Sequence, residues 1–272
     1  MVGSLNVDTI VTVDRHPLPG ETLLGSSLQT LRGGKGGNQA IAAARANASA
    51  TSQVSVAFVG RVGDDAAGRG YIEHLASAGV DVSGLRCTPG EHTGSAIVIV
   101  NEAGENSIVV SSGANALLGS AVGDLVSLDS LERDDVVALS MEVPLAVVVQ
   151  AAALTTAVGA RLVLNLSPVA EVPEEVVRAA DPVIVNEGEA AQLAERFPEL
   201  PSVLVTRGAA GSEWNGVHVA ALQNLRIVDT TGAGDAYCGT LALRLAVGDD
   251  ALAAMSAATA AAGEVVGRAG AQ

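Results

Sequence analysis

A carboxylate closes a run of small residues in Val228-Asp229-Thr230-Thr231-Gly232-Ala233-Gly234-Asp235. A β-type run over 225–228 leads into this segment, and a helix-type run over 236–247 follows it. The first N–H groups of a helix have no intrahelical partner, and the helix dipole adds partial positive charge. Gly232, Ala233 and Gly234 leave the backbone open enough for a phosphate to approach those donors. Asp235 then stands beside a bound phosphate, where a carboxylate is repelled unless it handles a proton during the chemistry. The segment predicts phosphate chemistry with Asp235 as the proton acceptor.

Other constellations are individually weaker. Gly33-Gly34-Lys35-Gly36-Gly37-Asn38 opens a helical run over 39–46. It has neither the Walker A order nor the Rossmann fingerprint. Its glycines suit close approach to a small polar ligand, with Lys35 and Asn38 as hydrogen-bonding groups, or simply a flexible helix start. Asn6 and Asp8 lie two apart in an extended run and so share a face. An amide beside a carboxylate suits a polyol, whose hydroxyls need donors and acceptors; a polar edge strand reads the same way. Asn186 and Glu189 are at i, i+3 at the start of a helix. They fit an N-cap with a first-turn acid or the water shell of Mg²⁺ or phosphate, and both readings stay open. His16, His74, His92 and His218 make no triad pattern, and neither Gly-x-Ser-x-Gly nor His-Glu-x-x-His occurs. Hydrolase and zinc readings fall away.

Strand-like runs at 54–59, 136–140, 162–166, 182–185, 203–206 and 225–228 alternate with helical runs at 38–46, 67–78, 145–158, 187–196, 236–247 and 251–266. Such alternation predicts a mostly parallel sheet covered by helices on both faces. Ligands bind such sheets outside the carboxyl ends of the strands. Glu142, Asn165, Ser167, Asn186, Glu189, Thr206, Arg207, Gly208, Asp229 and Asp235 all follow or end strand runs, which makes a convergent polar rim. Two segments break the rhythm: 9–31, and the pair 95–100 and 107–111 around a hairpin signal at 101–106. Together they predict a small separate sheet, the material of a lid.

The length of 272 residues and a hydrophobic fraction of 49% suffice for one large α/β domain. Aromatics are only 2%, so Ala, Val, Leu and Ile must build the core. A net charge of −15 without basic blocks argues against nucleic-acid and membrane partners. Cys87 and Cys238 have no metal-ligand spacing, and Cys238 reads as core. The charge-free stretch 143–160 reads as a buried helix, since Pro144, Gln150 and Gly159 do not suit a membrane span. With no signal-peptide pattern, the expected setting is the cytoplasm.

The order of these motifs resembles the ribokinase branch of the phosphofructokinase-B-type carbohydrate kinases, over residues 3–272. Gly3-Ser4-Leu5-Asn6-Val7-Asp8 resembles the family's sugar-binding strand, and Gly33-Gly34-Lys35-Gly36-Gly37-Asn38-Gln39-Ala40 its first signature. Asp229-Thr230-Thr231-Gly232-Ala233-Gly234-Asp235 resembles the second, more specific one. His92-Thr93-Gly94, Gly104-Glu105-Asn106 and Gly113-Ala114-Asn115 resemble the lid region.

The resemblance implies a three-layer αβα sandwich with a small β-sheet lid, formed by segments of about 9–32 and 92–112 inserted in a single domain. It implies ATP-dependent phosphorylation of the 5-hydroxyl of D-ribose. Asn6, Asp8, Gly34, Lys35, Asn38 and Glu142 hold the sugar in that reading, Asp235 is the base, and Gly232, Ala233 and Gly234 form the anion hole. Asn186 contacts nucleotide phosphate, Glu189 orders the Mg²⁺ shell, and Thr206, Gly208, Gly211, Gly234 and Thr259 line the ATP site. Asp229, Thr231, Val265, Arg268 and Gly270 match a monovalent-cation (K⁺) site. Independently of the resemblance, a lid of exposed strands has open edges that need covering, so a homodimer through the lid is expected. Relative to the family, the stretch between Asn186 and Thr206 is short by a helix, and the cation-site serine expected after Gln272 is not in the sequence. The alternatives are a fructokinase-like or adenosine kinase-like enzyme and, from another class, a non-catalytic sugar-binding relic. Few aromatics and the Asn6/Asp8 pair favour ribose over a nucleoside.

Overall fold

The computed structural model describes residues 1–50, 52–169, 171–268 and 270–272. Its strands are β1 (Asn6–Thr12), β2 (Ser27–Gly33), β3 (Ala57–Gly63), β4 (Asp81–Thr88), β5 (Gly94–Val100), β6 (Asn106–Ser111), β7 (Val136–Ser140), β8 (Arg161–Asn165), β9 (Ala180–Asn186), β10 (Val203–Thr206), β11 (Ser212–Trp214) and β12 (Val217–Val219). Its helices are α1 (Lys35–Ala48), α2 (Ala66–Ser77), α3 (Leu145–Val158), α4 (Glu174–Ala179), α5 (Glu187–Arg196), α6 (Ala233–Ala246) and α7 (Ala251–Val266).

The apolar runs become the central sheet. β7, β8, β9 and β10 lie side by side and parallel, and β11 and β12 continue one edge antiparallel. β3 and β4 form a second parallel block. Val2 joins the blocks through single-residue parallel bridges to Val59 and Leu139. Its N–H donates to the Ala138 carbonyl at 2.8 Å, and on the other side Val59 N–H donates to the Met1 carbonyl at 2.9 Å. Residues 1–3 thus act as the sheet's middle strand, and the chain emerges from it at the site.

Side chains alternate across the sheet, as a period of two requires. Val137, Leu139, Leu162, Leu164, Val183 and Val185 pack under α3, α4 and α5. Ala138, Val163, Ile184 and Leu204 point to the other face, against α6 and α7. Phe58 and Val62 meet α1 and α2 there. This is the expected three-layer sandwich. Cys238 belongs to that second core and is buried.

The lid is a four-stranded sheet in the order β2-β1-β5-β6. The hairpin signal at 101–106 joins β5 to β6, with Asn101 N–H donating to the Glu105 carbonyl at 3.0 Å. The lid begins at Asn6, earlier than residue 9, so Asn6 and Asp8 lie on a lid strand.

Three expectations are corrected. The run 225–228 is not a strand: Val228 and Asp229 donate to the Val266 carbonyl, which ties this segment to the end of α7. The helix expected at 236–247 begins at Ala233, so Asp235 lies inside its first turn. The charge-free stretch forms α3, which buries one face through Val147, Val148, Ala151, Ala152 and Thr155 and leaves Leu145 and Val158 exposed. Ala269, within the turn expected after α7, lies outside the described residues.

One buried ion pair fixes the lid's root. Arg61 on β3 donates to Asp124 through Nε at 3.0 Å and Nη2 at 2.6 Å. Asp124 also accepts the Gly119 N–H at 2.7 Å. That loop carries Asn115, which brackets Leu5 at 2.9 and 3.1 Å and donates to Asn6 Oδ1 at 2.8 Å. Removing Asp124 leaves a guanidinium buried without its counter-ion. Asp124→Ala should therefore lose about 3–5 kcal/mol of stability in urea unfolding. Glu174→Ala, which breaks an exposed pair with Arg178, should lose about 0.5 kcal/mol or less.

Candidate active site

Asp235 sits in the first turn of α6 and is 7% exposed. Asn38 Nδ2 donates to its Oδ2 at 2.9 Å, and Gln39 Nε2 to its Oδ1 at 3.3 Å. Burial pushes the Asp235 pKa up; the Lys35 ammonium and the two amides oppose this without cancelling it. The residue before α6, Gly232, has φ 79°, a left-handed backbone that glycine adopts freely. A Cβ on Gly234 would meet nothing within 4 Å, so the helix N-terminus is open there.

Helix α1 brings the other half of the site. It starts at Lys35, directly after Gly34, whose φ is +85° and whose Cβ would lie 2.7 Å from the Asn6 nitrogen. Only glycine allows α1 to abut the start of β1 so closely. Burial disfavours the Lys35 ammonium, but Asp235 and Glu142 outweigh it and raise its pKa. Glu142, just beyond β7, accepts the Ser4 hydroxyl at 2.6 Å and the Lys35 N–H at 2.9 Å through Oε2.

Asp8 is the poised group. Its Oδ1 is buried with no hydrogen-bond partner. Burial, and then the Glu142 carboxylate, push its pKa up to about 6. A buried acceptor without a donor costs stability unless a ligand hydroxyl supplies one. The residues present therefore fit a hydroxyl-rich ligand. Hydrogen bonds join Asn38 to Asp235 and Lys35 to Glu142, Gly34 packs on Asn6, and the Glu142 charge acts on Asp8.

A second group lies at the ends of β9 and β10. Asn186 and Thr206 are partners in the parallel register. Asn186 Oδ1 accepts the Glu189 N–H and Glu189 Oε2 accepts the Asn186 N–H, both at 2.9 Å. Both residues cap α5, and one Glu189 oxygen remains outside that exchange. The Glu189 charge also supports the Lys35 ammonium, so it faces the same cleft electrostatically. That free carboxylate oxygen fits a water of a hydrated divalent ion. Gly208 opens a 3-10 turn that Gly211 closes, and a Cβ on Gly211 would lie 2.0 Å from the Val219 carbonyl. Thr259 is buried in α7, and its hydroxyl donates to the Met255 carbonyl at 2.8 Å. The structure leaves that hydroxyl turned into its own helix.

A third group is tied by Asp229, whose carboxylate accepts Thr231 N–H at 2.8 Å and Gly270 N–H at 3.0 Å. Burial raises the Asp229 pKa, but these donors outweigh it and hold it below the ordinary carboxylate value. Arg268 N–H donates to the Val265 carbonyl at 3.1 Å in the same turn. Each Asp229 oxygen thus serves a backbone N–H that ties the turn before α6 to the segment after α7; oxygen is the ligand type a hard monovalent cation takes.

Sequence reasoning had Gln39 and Asn115 only inside motifs, with no role at the site, and missed Gln272. Gln39 was legible as the second of two amides opening an alanine helix. Asn115 and Gln272 reach the site from 109 and 234 residues away from their side-chain partners Asn6 and Asn38, pairings that no local pattern announces. Among the described residues no helix is long and apolar enough to cross a membrane.

A family profile, pfkB family carbohydrate kinase, matches residues 1–272. Ribokinase of Bacillus subtilis is 35% identical over 285 residues, covering 100% of this chain and 94% of that protein. The bifunctional ribokinase/ribose-5-phosphate isomerase A of Fructilactobacillus sanfranciscensis is 33% identical over 91% of this chain, which spans only 48% of that protein. The structure of Arabidopsis thaliana ribokinase complexed with ribose and ATP superposes with a TM-score of 0.87 at 30% identity, covering 99% of this chain and 92% of that one.

The Asp8 shift has a stability consequence. Its folded pKa of about 6 lies above the unfolded carboxylate value. The cost of ionising it is thus absent below about pH 4, grows to pH 6 and is fully present above that. Asp8→Asn should raise the thermal midpoint more at pH 8 than at pH 4. Equal shifts at the two pH values would contradict the assignment.

Proposed function

The chain belongs to the pfkB family of carbohydrate kinases, and from that premise we propose that it transfers the γ-phosphoryl group of ATP to the 5-hydroxyl of D-ribose. The observation that carries this is a buried carboxylate, Asp235, held by two amides beside an open helix N-terminus. The unpartnered Asp8 oxygen nearby supports a hydroxyl-rich acceptor. The likeness to ribokinases over the full chain supports ribose as that acceptor.

Little covalent work falls to the protein in phosphoryl transfer; positioning and charge stabilisation dominate. Asn6, Asp8, Gly34, Lys35, Asn38 and Glu142 line the sugar side of the cleft. Asp235 accepts the hydrogen bond of the attacking hydroxyl. Even with its pKa raised it is far too weak a base to make an alkoxide in advance. It takes the proton late, as the new O–P bond forms and the bond from the γ-phosphorus to the ADP oxygen breaks. Burial raises its basicity toward the working pH, which favours that transfer. The N-terminal turn at Gly232, Ala233 and Gly234 offers N–H groups to the transferring charge. Asn186, Glu189, Thr206, Gly208, Gly211 and Thr259 form the nucleotide side.

Glu189, with Asn186, would order the waters of Mg²⁺, which when bound neutralises phosphate charge. Asp229 with the carbonyls of Thr231, Val265, Arg268 and Gly270 would hold K⁺, whose charge stabilises the turn that leads into α6. ATP as substrate and the free thiols of Cys87 and Cys238 support a cytoplasmic setting. The lid supports a homodimer: Ile97 and Val109 are paired across β5 and β6, and both are exposed. Its edge strands β2 and β6 also need covering.

In a coupled ADP-release assay with Mg²⁺, ribose should be turned over faster with K⁺ than without it. Asp235→Asn should bind ribose normally by calorimetry and lose at least about 100-fold in kcat. Near-normal turnover in that variant would remove Asp235 from its role. Light scattering at micromolar concentration should give twice the chain mass of 27.1 kDa; a monomer would count against the lid interface.

A further inference from the structure

The amides around Asp235 form a chain with one direction. His74 Nε2 lies 3.0 Å from Gln272 Oε1. An amide oxygen only accepts, so the ring nitrogen is the donor. Gln272 Nε2 then faces the Tyr71 hydroxyl at 2.6 Å and Asn38 Oδ1 at 2.8 Å. The Tyr71 hydroxyl spends its own proton on the Gly33 carbonyl at 2.7 Å, so towards Gln272 it can only accept. Asn38, having accepted at Oδ1, presents Nδ2 to Asp235 at 2.9 Å. Tyr71 and Asn38 are buried, so neither amide end can exchange its partner for bulk water at no cost.

The segment that bears Gln272 is itself anchored. Gly270 N–H donates to Asp229 at 3.0 Å, and Ala271 packs over Gly232, where an added Cβ would come within 2.3 Å of it. The turn before α6 and the amide chain behind Asp235 therefore share one support.

We propose that Gln272 is a positioning residue: it holds the Asn38 amide with its NH₂ end toward Asp235, and His74 and Tyr71 set Gln272 in turn. A reversed Asn38 places an amide oxygen against a buried carboxylate, replacing a donor by repulsion. The Asp235 lone pair left for the sugar hydroxyl is then misdirected. The inference rests on Asp235 being the base of the proposed reaction.

The test uses Gln272→Glu, nearly the same shape, whose ionised carboxylate cannot donate to Asn38. It should lower kcat about tenfold, the scale of one buried hydrogen bond, with ribose KM within about threefold of the parent value. In ribose-free protein, the ¹⁵N-resolved side-chain amide signals of Asn38 should shift. His74→Leu should show a smaller loss of the same kind, and His74→Gln, which can still donate to Gln272, should recover it. A Gln272→Glu protein with kcat within twofold of the parent, or unmoved Asn38 amide signals, overturns the proposal. So does a loss that follows the thermal midpoint and is the same for His74→Gln and His74→Leu, since that is packing alone. Failure of the base assignment reads differently: Asp235→Asn keeps turnover, while the amide signals, which need no substrate, still report on Asn38.

Discussion

A carboxylate almost fully withdrawn from water is the constraint on which the rest of this structure depends. Asp235 is unstable where it lies unless donors meet both of its oxygens and a cation stands near. Asn38, Gln39 and Lys35 supply these, and all three are in the first two turns of α1. Helices α1 and α6 must therefore lie side by side with their N-terminal ends level. The close approach of α6 to α1, where Gly239 would clash with the Gln39 carbonyl if it carried a Cβ, makes that alignment steric as well as electrostatic. The central sheet sets the level: its strands end at the cleft, and residues 1–3, threaded between β3 and β7, deliver Asn6 and Asp8 to the same place.

The lid strand β1 brings Asp8 toward Glu142, whose carboxylate also acts on Asp235. The Lys35 ammonium and the donors to Glu142 and Asp235 offset that crowding of acids. The Asp8 oxygen without a partner is the residual cost of that grouping in the free protein. A sugar hydroxyl that donates to it removes the cost, so binding energy is concentrated where the acceptor must be oriented. The Arg61–Asp124 pair and Asn115 keep the root of the lid rigid while its outer strands stay exposed.

What the sequence made legible follows from how local each signal was. Runs 136–140 and 203–206 match β7 and β10 because buried parallel strands are continuously apolar. The run 225–228 is apolar but for Arg226, and its Val228 N–H finds the end of α7 instead of a neighbouring strand, a long-range choice no window reveals. Both glycine helices start earlier than expected because their opening residues were read as loop; in α1 the close packing of Gly36 on Gly3 selects glycine inside the first turn, whereas Gly234 in the first turn of α6 stands open. Asn186 and Glu189 left two readings open; the capping exchange is present, and it occupies only part of Glu189. The amide chain through Tyr71, His74 and Gln272 was invisible, since its members are separated by up to 234 residues and share no period.

The central claim is that this cleft transfers phosphoryl from ATP to a sugar hydroxyl and not to water. The most direct measurement is a ³¹P NMR spectrum of the protein incubated with Mg²⁺, K⁺, ATP and D-ribose. The account predicts loss of the γ-phosphate signal and growth of a phosphomonoester split into a triplet by the two protons on carbon 5. Growth of inorganic phosphate instead, or an ATP spectrum unchanged by ribose, would contradict it.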